Sequence, residues 1–592
     1  MSATGESPLS EVAPPRVLVD PARRLHRFTV AIVPFVLYLA VSVVLLGHLV
    51  LGHLGSTTIG AGPDPAAFVW IVKWWPQALA NGWNPLHTDV AYAPDGFNMT
   101  WVTSIPGPSL ALAPLTALAG PIVSYNVLAI LIPALNGWSA FALCRTLDAR
   151  YLAAVLGGYI FGFSTYVLLQ DAAHPHAALV AMLPLAALIV VMFQRDRITP
   201  RRFTFGMFAI LTAQFLISVE VFLTMTMLGL AGLVLAAFVF PEQRSWLWRV
   251  AKLAAIAYVL TAIAVSPYLY ANLSEPNTLA GIDPVPLSTD PLSVAIPGRL
   301  TEIGGTALSS ISGRFTAGGE GGAYFGIPLL TLVCLLGWWR RNDRVFRYLL
   351  AMLALGFVVS LGPRLSLYGH ITAIRLPWTP FIHLPITKYV IPSRLIVYAW
   401  LPLSVLIALG LSVRGSRATW ALAVVGVVLL LPATGARNAI TGIADWHSSR
   451  SVPAFFRDAR LRRILPRQGT VLVLPYAVAD QAESMLWQAE AGMSFAMPDG
   501  YLTAITPPSF ACWPVEGALR SGVYESGMRG EFLSFLASKD VRAVVVDTAE
   551  KRAAKPLLSA LSARPTRSGG VYIYHVPAAA IPAHVSDCPG HA

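Results

Sequence analysis

A succession of long apolar runs, broken by clusters of Arg, constrains this chain more than any other feature. The runs fall at about 28–51, 122–143, 152–169, 177–193, twice within 203–240, then 253–270, 325–339, 348–361, 395–413 and 418–431. Backbone polar groups in hydrocarbon have no water to bond, so such runs are read as membrane-spanning helices. Only 12% of the 592 residues are charged, against about 25% in a soluble domain. Cations gather at alternate ends of the runs: Arg23, Arg24 and Arg27; Arg145 and Arg150; the stretch RDRITPRR; Arg244, Arg249 and Lys252; Arg340, Arg341, Arg344 and Arg347; Arg414 and Arg417. Placed inside, they give a polytopic α-helical membrane protein of about eleven transmembrane helices, N-terminus in and C-terminus out. The net charge of +12 is then a topology signal and not a nucleic-acid footprint. The first run is too long for a signal peptide and lacks a small-residue cleavage site, so it is expected to remain as a span. Residues 1–27, polar and ending in cations, are expected to form a disordered cytoplasmic tail. A lone Glu in hydrocarbon is expensive, which places the break within 203–240 near Ser218, Val219 and Glu220.

The first external loop, 53–120, is crowded with Trp, Pro, Gly and Asn, and Asp64 stands where the chain should leave the bilayer. Within it, 65–80 has helical apolar spacing and is expected as an amphipathic helix lying in the interface. A second short apolar piece, 109–118, is expected at the membrane too. The outer loops carry Lys73, Arg299, Arg314, Arg364, Arg375, Lys388 and Arg394 against the topology rule, and binding an anion accounts for them. From Asn438 the pattern changes. GTVLVLPY reads as a buried strand, AESMLWQAEAG as a short helix with a Gly stop, GEFLSFLASKDVRAVVVDT as helix, turn and strand, and VYIYHV as a last strand. Residues 438–592 are therefore expected to be an extracytoplasmic α/β domain, with no phosphate loop, metal-ligand spacing or nucleophile elbow. Cys144 and Cys334 lie in spans and are expected to be inert. Cys512 and Cys588 are positioned to pair if the tail is outside the cell.

Gly62-Pro63-Asp64-Pro65 after the first span, followed by Trp70, Trp74, Asn84-Pro85 and Pro94-Asp95-Gly96, resembles the GT-C class of integral-membrane glycosyltransferases. The resemblance covers roughly residues 28–437. It implies a catalytic first external loop with a carboxylate at its start and an active site on the outer face of the plasma membrane. It further implies transfer of a hexose or pentose from a polyprenyl-phosphate donor to a glycan or lipid acceptor of the cell envelope, by an inverting displacement. Many members carry two acids in this loop. The second here is Asp89 or Asp95, and spacing does not choose between them, which leaves metal participation open; no cofactor is expected. Composition and the preference for Arg over Lys look like those of a GC-rich actinobacterium.

Asp64 is the expected general base, since a sugar hydroxyl needs a base to take its proton as it attacks. The plainer alternative is a helix cap, because Asp before Pro often starts a helix. Arg394, at the outer end of a span, is the expected donor-phosphate ligand, with Lys388, Arg375 and Arg299 as further candidates; Arg offers phosphate a planar fork. Its alternative is an interface anchor. Glu220 is expected either to bind sugar hydroxyls or to neutralise an Arg, against a hydrated turn residue. His174 and His176 suit substrate contact better than a metal, because two His on a turn are not a full ligand set. Trp70 and Trp74 are expected to stack on a sugar or to join an aromatic belt. Two other functions stay in view: a flippase for a lipid-linked glycan, which would tend to show repeats and midplane charges, and a non-catalytic envelope scaffold.

Overall fold

The computed structural model describes residues 21–577 apart from 276, 278–281, 318–319, 385–386, 435–445, 479–480, 504–506 and 525. The first twenty residues of the expected tail, and Cys588 of the expected pair, lie outside the described residues. The first helix is Pro21–Leu45, so it begins ahead of the apolar run, with Pro at its start where a missing N–H costs nothing.

Each expected apolar run carries a helix, but their lengths differ. Among the described residues, six helices are long and apolar enough to cross a membrane, or seven if Tyr151–Gly162 and Thr165–Asp171, bent by 44°, count as one span. Ile327–Trp339 and Arg417–Leu429 are apolar but shorter. The 203–240 run divides into Pro200–Ile217 and Val219–Val239. Ser218 makes the break: its backbone is extended, and its hydroxyl accepts the Val221 N–H at 3.3 Å as an N-cap. That cap puts Glu220 in the first turn of the following helix.

Small residues let the central helices approach closely. A Cβ built on Gly162 would lie 2.5 Å from the Gly137 nitrogen and 2.5 Å from the Pro133 carbonyl oxygen. These are backbone atoms that cannot swing aside. Gly162→Ala is therefore expected to cost about 1–3 kcal/mol, read as a lower midpoint of thermal unfolding in detergent; an unchanged midpoint would mean that the helices can part without penalty.

The Pro63–Ala80 helix is the main departure from expectation. The sequence pattern predicts an amphipathic helix, with a polar face opposite its apolar one. Pro65, Ala66, Phe68, Val69, Trp70, Ile71, Val72, Trp74 and Trp75 are all buried, because neighbours cover it on several sides. One neighbour is the C-terminal helix Glu483–Glu490. Gln488 accepts the Trp70 indole N–H at 2.6 Å and donates to the carbonyls of Val90 and Phe495.

The elements expected after residue 438 are present. Thr470–Leu474, Val541–Asp547, Val571–His575 and Thr566–Ser568 form a four-stranded sheet in that order. The first pair is parallel and the others antiparallel. Side chains alternate across the sheet. Val471, Val473, Val545 and Ile573 join the same apolar core as the membrane helices. Leu472, Leu474, Val544 and Val546 pack on the other side with Trp513, Phe532 and Phe535. A second seam ties this segment to the first loop, where Thr57–Ile59 pairs antiparallel with His447–Ser449 just before Asp64.

Candidate active site

Gly62 precedes the Pro63–Ala80 helix with φ +82°, a conformation that disfavours any side chain, and Pro63 opens the first turn. The N-cap is thus Gly62, and Asp64 sits inside the first turn, where the helix dipole favours a carboxylate. The capping alternative does not describe this residue. Asp64 is half-buried. Its Oδ1 accepts the Tyr501 hydroxyl at 2.8 Å, and its Oδ2 faces His174 Nε2 at 3.6 Å.

His174 Nε2 also stands 3.7 Å from Glu320 Oε1. Glu320 lies in a Gly-rich loop before Gly321 and Gly322. A Cβ on Gly322 would meet the Tyr166 Cα at 2.6 Å, so only Gly lets this loop close over the Thr165–Asp171 helix. Glu320 then takes both forks of Arg394, Nε at 2.8 Å and Nη2 at 3.0 Å, and the Gln170 amide at 3.1 Å. The third Arg394 nitrogen, Nη1, bonds Glu220 at 2.8 Å. Burial pushes the Glu320 carboxyl up, but Arg394, His174 and the hydrogen bonds from Arg394 and Gln170 together outweigh it and hold it well below the usual carboxylate range. A cavity of about 160 Å³ opens next to this loop, lined among others by Thr165, Thr289, Arg299, Gly322 and Tyr324.

Asp64, His174, Glu220 and Arg394 are thus brought together, with Glu320 as the link. Of the two roles open to Glu220, neutralising an Arg is the one its geometry displays. Arg394 is buried and spends three nitrogens on two carboxylates, so the expected phosphate ligand is instead the centre of an ion triad. Lys388 lies over the Tyr389 ring at 4.8 Å, and Arg375 is exposed on a hairpin strand opposite Arg364; neither joins the cluster. Asp89 is exposed and pairs with His87 at 3.4 Å, whereas Asp95 pairs with Lys539 at 2.7 Å, so neither shares a partner with Asp64. His176 is buried and stacked on Phe68 at 5.4 Å. Trp70 and Trp74 are buried and stacked on each other at 5.4 Å. All three are packed inside the protein, with the Trp70 indole bonded to Gln488 and that of Trp74 to the Pro85 carbonyl. Asp171, three residues before His174, is buried, and among the described residues neither of its carboxylate oxygens has a hydrogen-bond partner. Among the described residues, no three His, Cys, Asp or Glu converge as metal ligands.

Sequence reasoning passed over Glu320 and Tyr501. The first had one local signal, an acid between glycines in an external loop. The second had none.

Asp499, two residues before Tyr501, is buried, and its Oδ2 accepts the Ala477 N–H and the Ser484 hydroxyl. Burial pushes its carboxyl up to about 7, and the bonds from Ala477, its own backbone N–H and Ser484 pull only partly back. The folded state holds its proton more tightly than the unfolded chain, so this contribution to stability is full below about pH 4 and is lost as pH rises through about 7. Asp499→Asn is expected to flatten that fall. The check is thermal unfolding at pH 5 and pH 8: the gap between the two midpoints should narrow in the variant, and an unchanged gap would place the titration elsewhere.

Solved structures share this architecture. The mycobacterial arabinofuranosyltransferase AftD matches with a TM-score of 0.56 and 16% identity over 93% of this chain. The chain spans 41% of AftD's length. The Archaeoglobus fulgidus oligosaccharyltransferase in its apo form matches with a TM-score of 0.51 and 12% identity, over 93% of this chain and 75% of its own. Both are GT-C glycosyltransferases, and the chain has the GT-C fold of a multi-pass membrane protein. No curated protein matches it by sequence. Residues 35–435 match the family described as a domain of unknown function, DUF6311, and the chain belongs to that family.

Proposed function

We propose that the chain is a membrane glycosyltransferase that moves a sugar from a polyprenyl-phosphate donor to a glycan or lipid acceptor of the cell envelope. In this reading eleven helices cross the plasma membrane, the N-terminus is inside, and the site opens on the outer face. One observation carries the reading. In a GT-C fold, a half-buried carboxylate at a helix start faces a histidine that a second carboxylate also faces.

The reaction balances with these groups. The acceptor hydroxyl oxygen attacks the anomeric carbon while Asp64 takes its proton. The bond from that carbon to the phosphate oxygen breaks, and the electron pair leaves with the lipid phosphate. Attack opposite to the leaving group inverts the centre. His174, between Asp64 and Glu320, is placed to steady the carboxylate or to relay its proton. In this reading Arg299, which lines the cavity, meets the leaving phosphate.

The test is transfer of labelled sugar in membranes that carry the chain, against the same membranes without it, using a panel of hexosyl and pentosyl polyprenyl phosphates. Transfer from one donor that depends on the chain supports the reading and names the sugar. No transfer from any donor, with movement of a fluorescent lipid-linked glycan across the bilayer, would replace the enzyme with a flippase.

A further inference from the structure

Two of the groups that fix Asp64 come from far along the chain. Tyr501 is 437 residues away, and Arg450, which grips the carbonyl of Gly62, is 388 residues from that glycine. We propose that Tyr501 is a positioning residue for the transfer reaction, so that the C-terminal segment completes the reaction centre and does not merely cover it. This rests on Asp64 as the base.

The geometry divides the labour between the two carboxylate oxygens. Oδ1 is occupied by the Tyr501 hydroxyl at 2.8 Å. Oδ2 is left on the side of His174 at 3.6 Å, which makes it the oxygen that receives the acceptor's proton. A carboxylate free to rotate about its last bond would present either oxygen, and orientation of this kind is worth a large factor in rate.

Tyr501 is itself held. Its N–H meets the Met485 sulfur at 2.9 Å. The carbonyl of Gly500 accepts the Tyr92 hydroxyl at 2.5 Å, and that of Asp499 accepts the Tyr92 N–H at 3.2 Å. A Cβ on Gly500 would stand 2.8 Å from the Tyr92 ring, so Gly is required for this contact.

From the other side, Arg450 is buried and ties three elements. Its Nη2 bonds the Gly62 carbonyl at 2.8 Å, its Nε bonds Thr58 at 2.9 Å, and its Nη1 bonds Glu483 at 3.2 Å. The carbonyl it holds belongs to the residue that starts the Asp64 helix. The charged and titratable groups around Asp64 are then His174, Tyr501, Tyr125, Arg450 behind Gly62, and Glu320 beyond His174.

The test uses Tyr501→Phe in the full chain, which keeps the ring and removes only the hydroxyl. The first readout needs no substrate. Dicyclohexylcarbodiimide modifies carboxyl groups, and its attachment to Asp64 is followed by mass spectrometry of the purified protein at one fixed pH. Freed of its hydrogen bond, Asp64 is expected to label roughly three- to tenfold faster. The second readout is kinetic: kcat for sugar transfer is expected to fall roughly tenfold with KM within about twofold of wild type. A packing role alone would move neither. Wild-type labelling and kcat in Tyr501→Phe, with Asp64→Asn inactive, would overturn the positioning role and leave the base assignment standing. Transfer that survives Asp64→Asn would overturn the base assignment, and the positioning role with it.

Discussion

Asp64→Asn is expected to lower kcat for sugar transfer by roughly 10²- to 10⁴-fold, with yield and thermal stability close to wild type. Asn has the size of Asp, and its amide oxygen still accepts the Tyr501 hydroxyl, so the local hydrogen bonding survives. What it lacks is a site for the proton. Stability should change little because the cap of this helix is Gly62, which has no side chain. The dipole contribution lost with the charge is only about 0.3–1 kcal/mol. Asp64→Ala should lose the same activity and in addition leave the Tyr501 hydroxyl without its acceptor. The measurement is labelled-sugar transfer at matched expression, using the donor that wild type accepts. Near-normal turnover in Asn would mean that the carboxylate serves only the helix dipole and its neighbours. Glu320 would then be the next base to test, since it faces the same histidine from the other side.

The membrane helices were legible because hydrocarbon imposes a local rule: any spanning segment must be apolar along its own length. Even the break at Ser218 could be read, since it rests on one hydroxyl and one acid within three residues. The Pro63–Ala80 helix shows where local rules end. Its apolar stripe was visible, but what covers it is a helix about four hundred residues later, joined by the Trp70–Gln488 bond. An interfacial helix and a buried one share the same local pattern until that partner is known. The same holds for the site. Asp64, His174, Glu220 and Arg394 announced themselves as charged or titratable groups at the ends of apolar runs. Their mutual arrangement did not, because it depends on Glu320, which a loop brings in between them. Arg394 consequently looked like a cation awaiting a phosphate, when two acids engage it.

Replacing Arg394 with Met is expected to destabilise the protein by about 3–5 kcal/mol, the largest stability effect of any single change near the site. The cost comes from what remains. Glu220 and Glu320 would lose their shared cation in a largely buried setting, with only the Ile391 N–H left on Glu220 and the Gln170 amide and His174 left beside Glu320. Arg394→Lys should fall between, because an ammonium cannot make the two parallel bonds to Glu320 while reaching Glu220. The informative variant is the triple replacement Arg394→Met, Glu220→Leu, Glu320→Leu. If the triad is a matter of charge balance, the triple protein should recover most of the stability lost in the single one, since a buried ion network is often no more stabilising than an apolar substitute of similar volume. Thermal unfolding in detergent reads both, and the non-additivity measures the coupling. Recovery of the fold without recovery of sugar transfer would separate the two roles: the triad would be dispensable for folding and needed for holding His174 against Asp64. Additive losses, with the triple variant the least stable of the set, would show that each side chain acts through its own packing, and the ion triad would then not be the unit that organises the site.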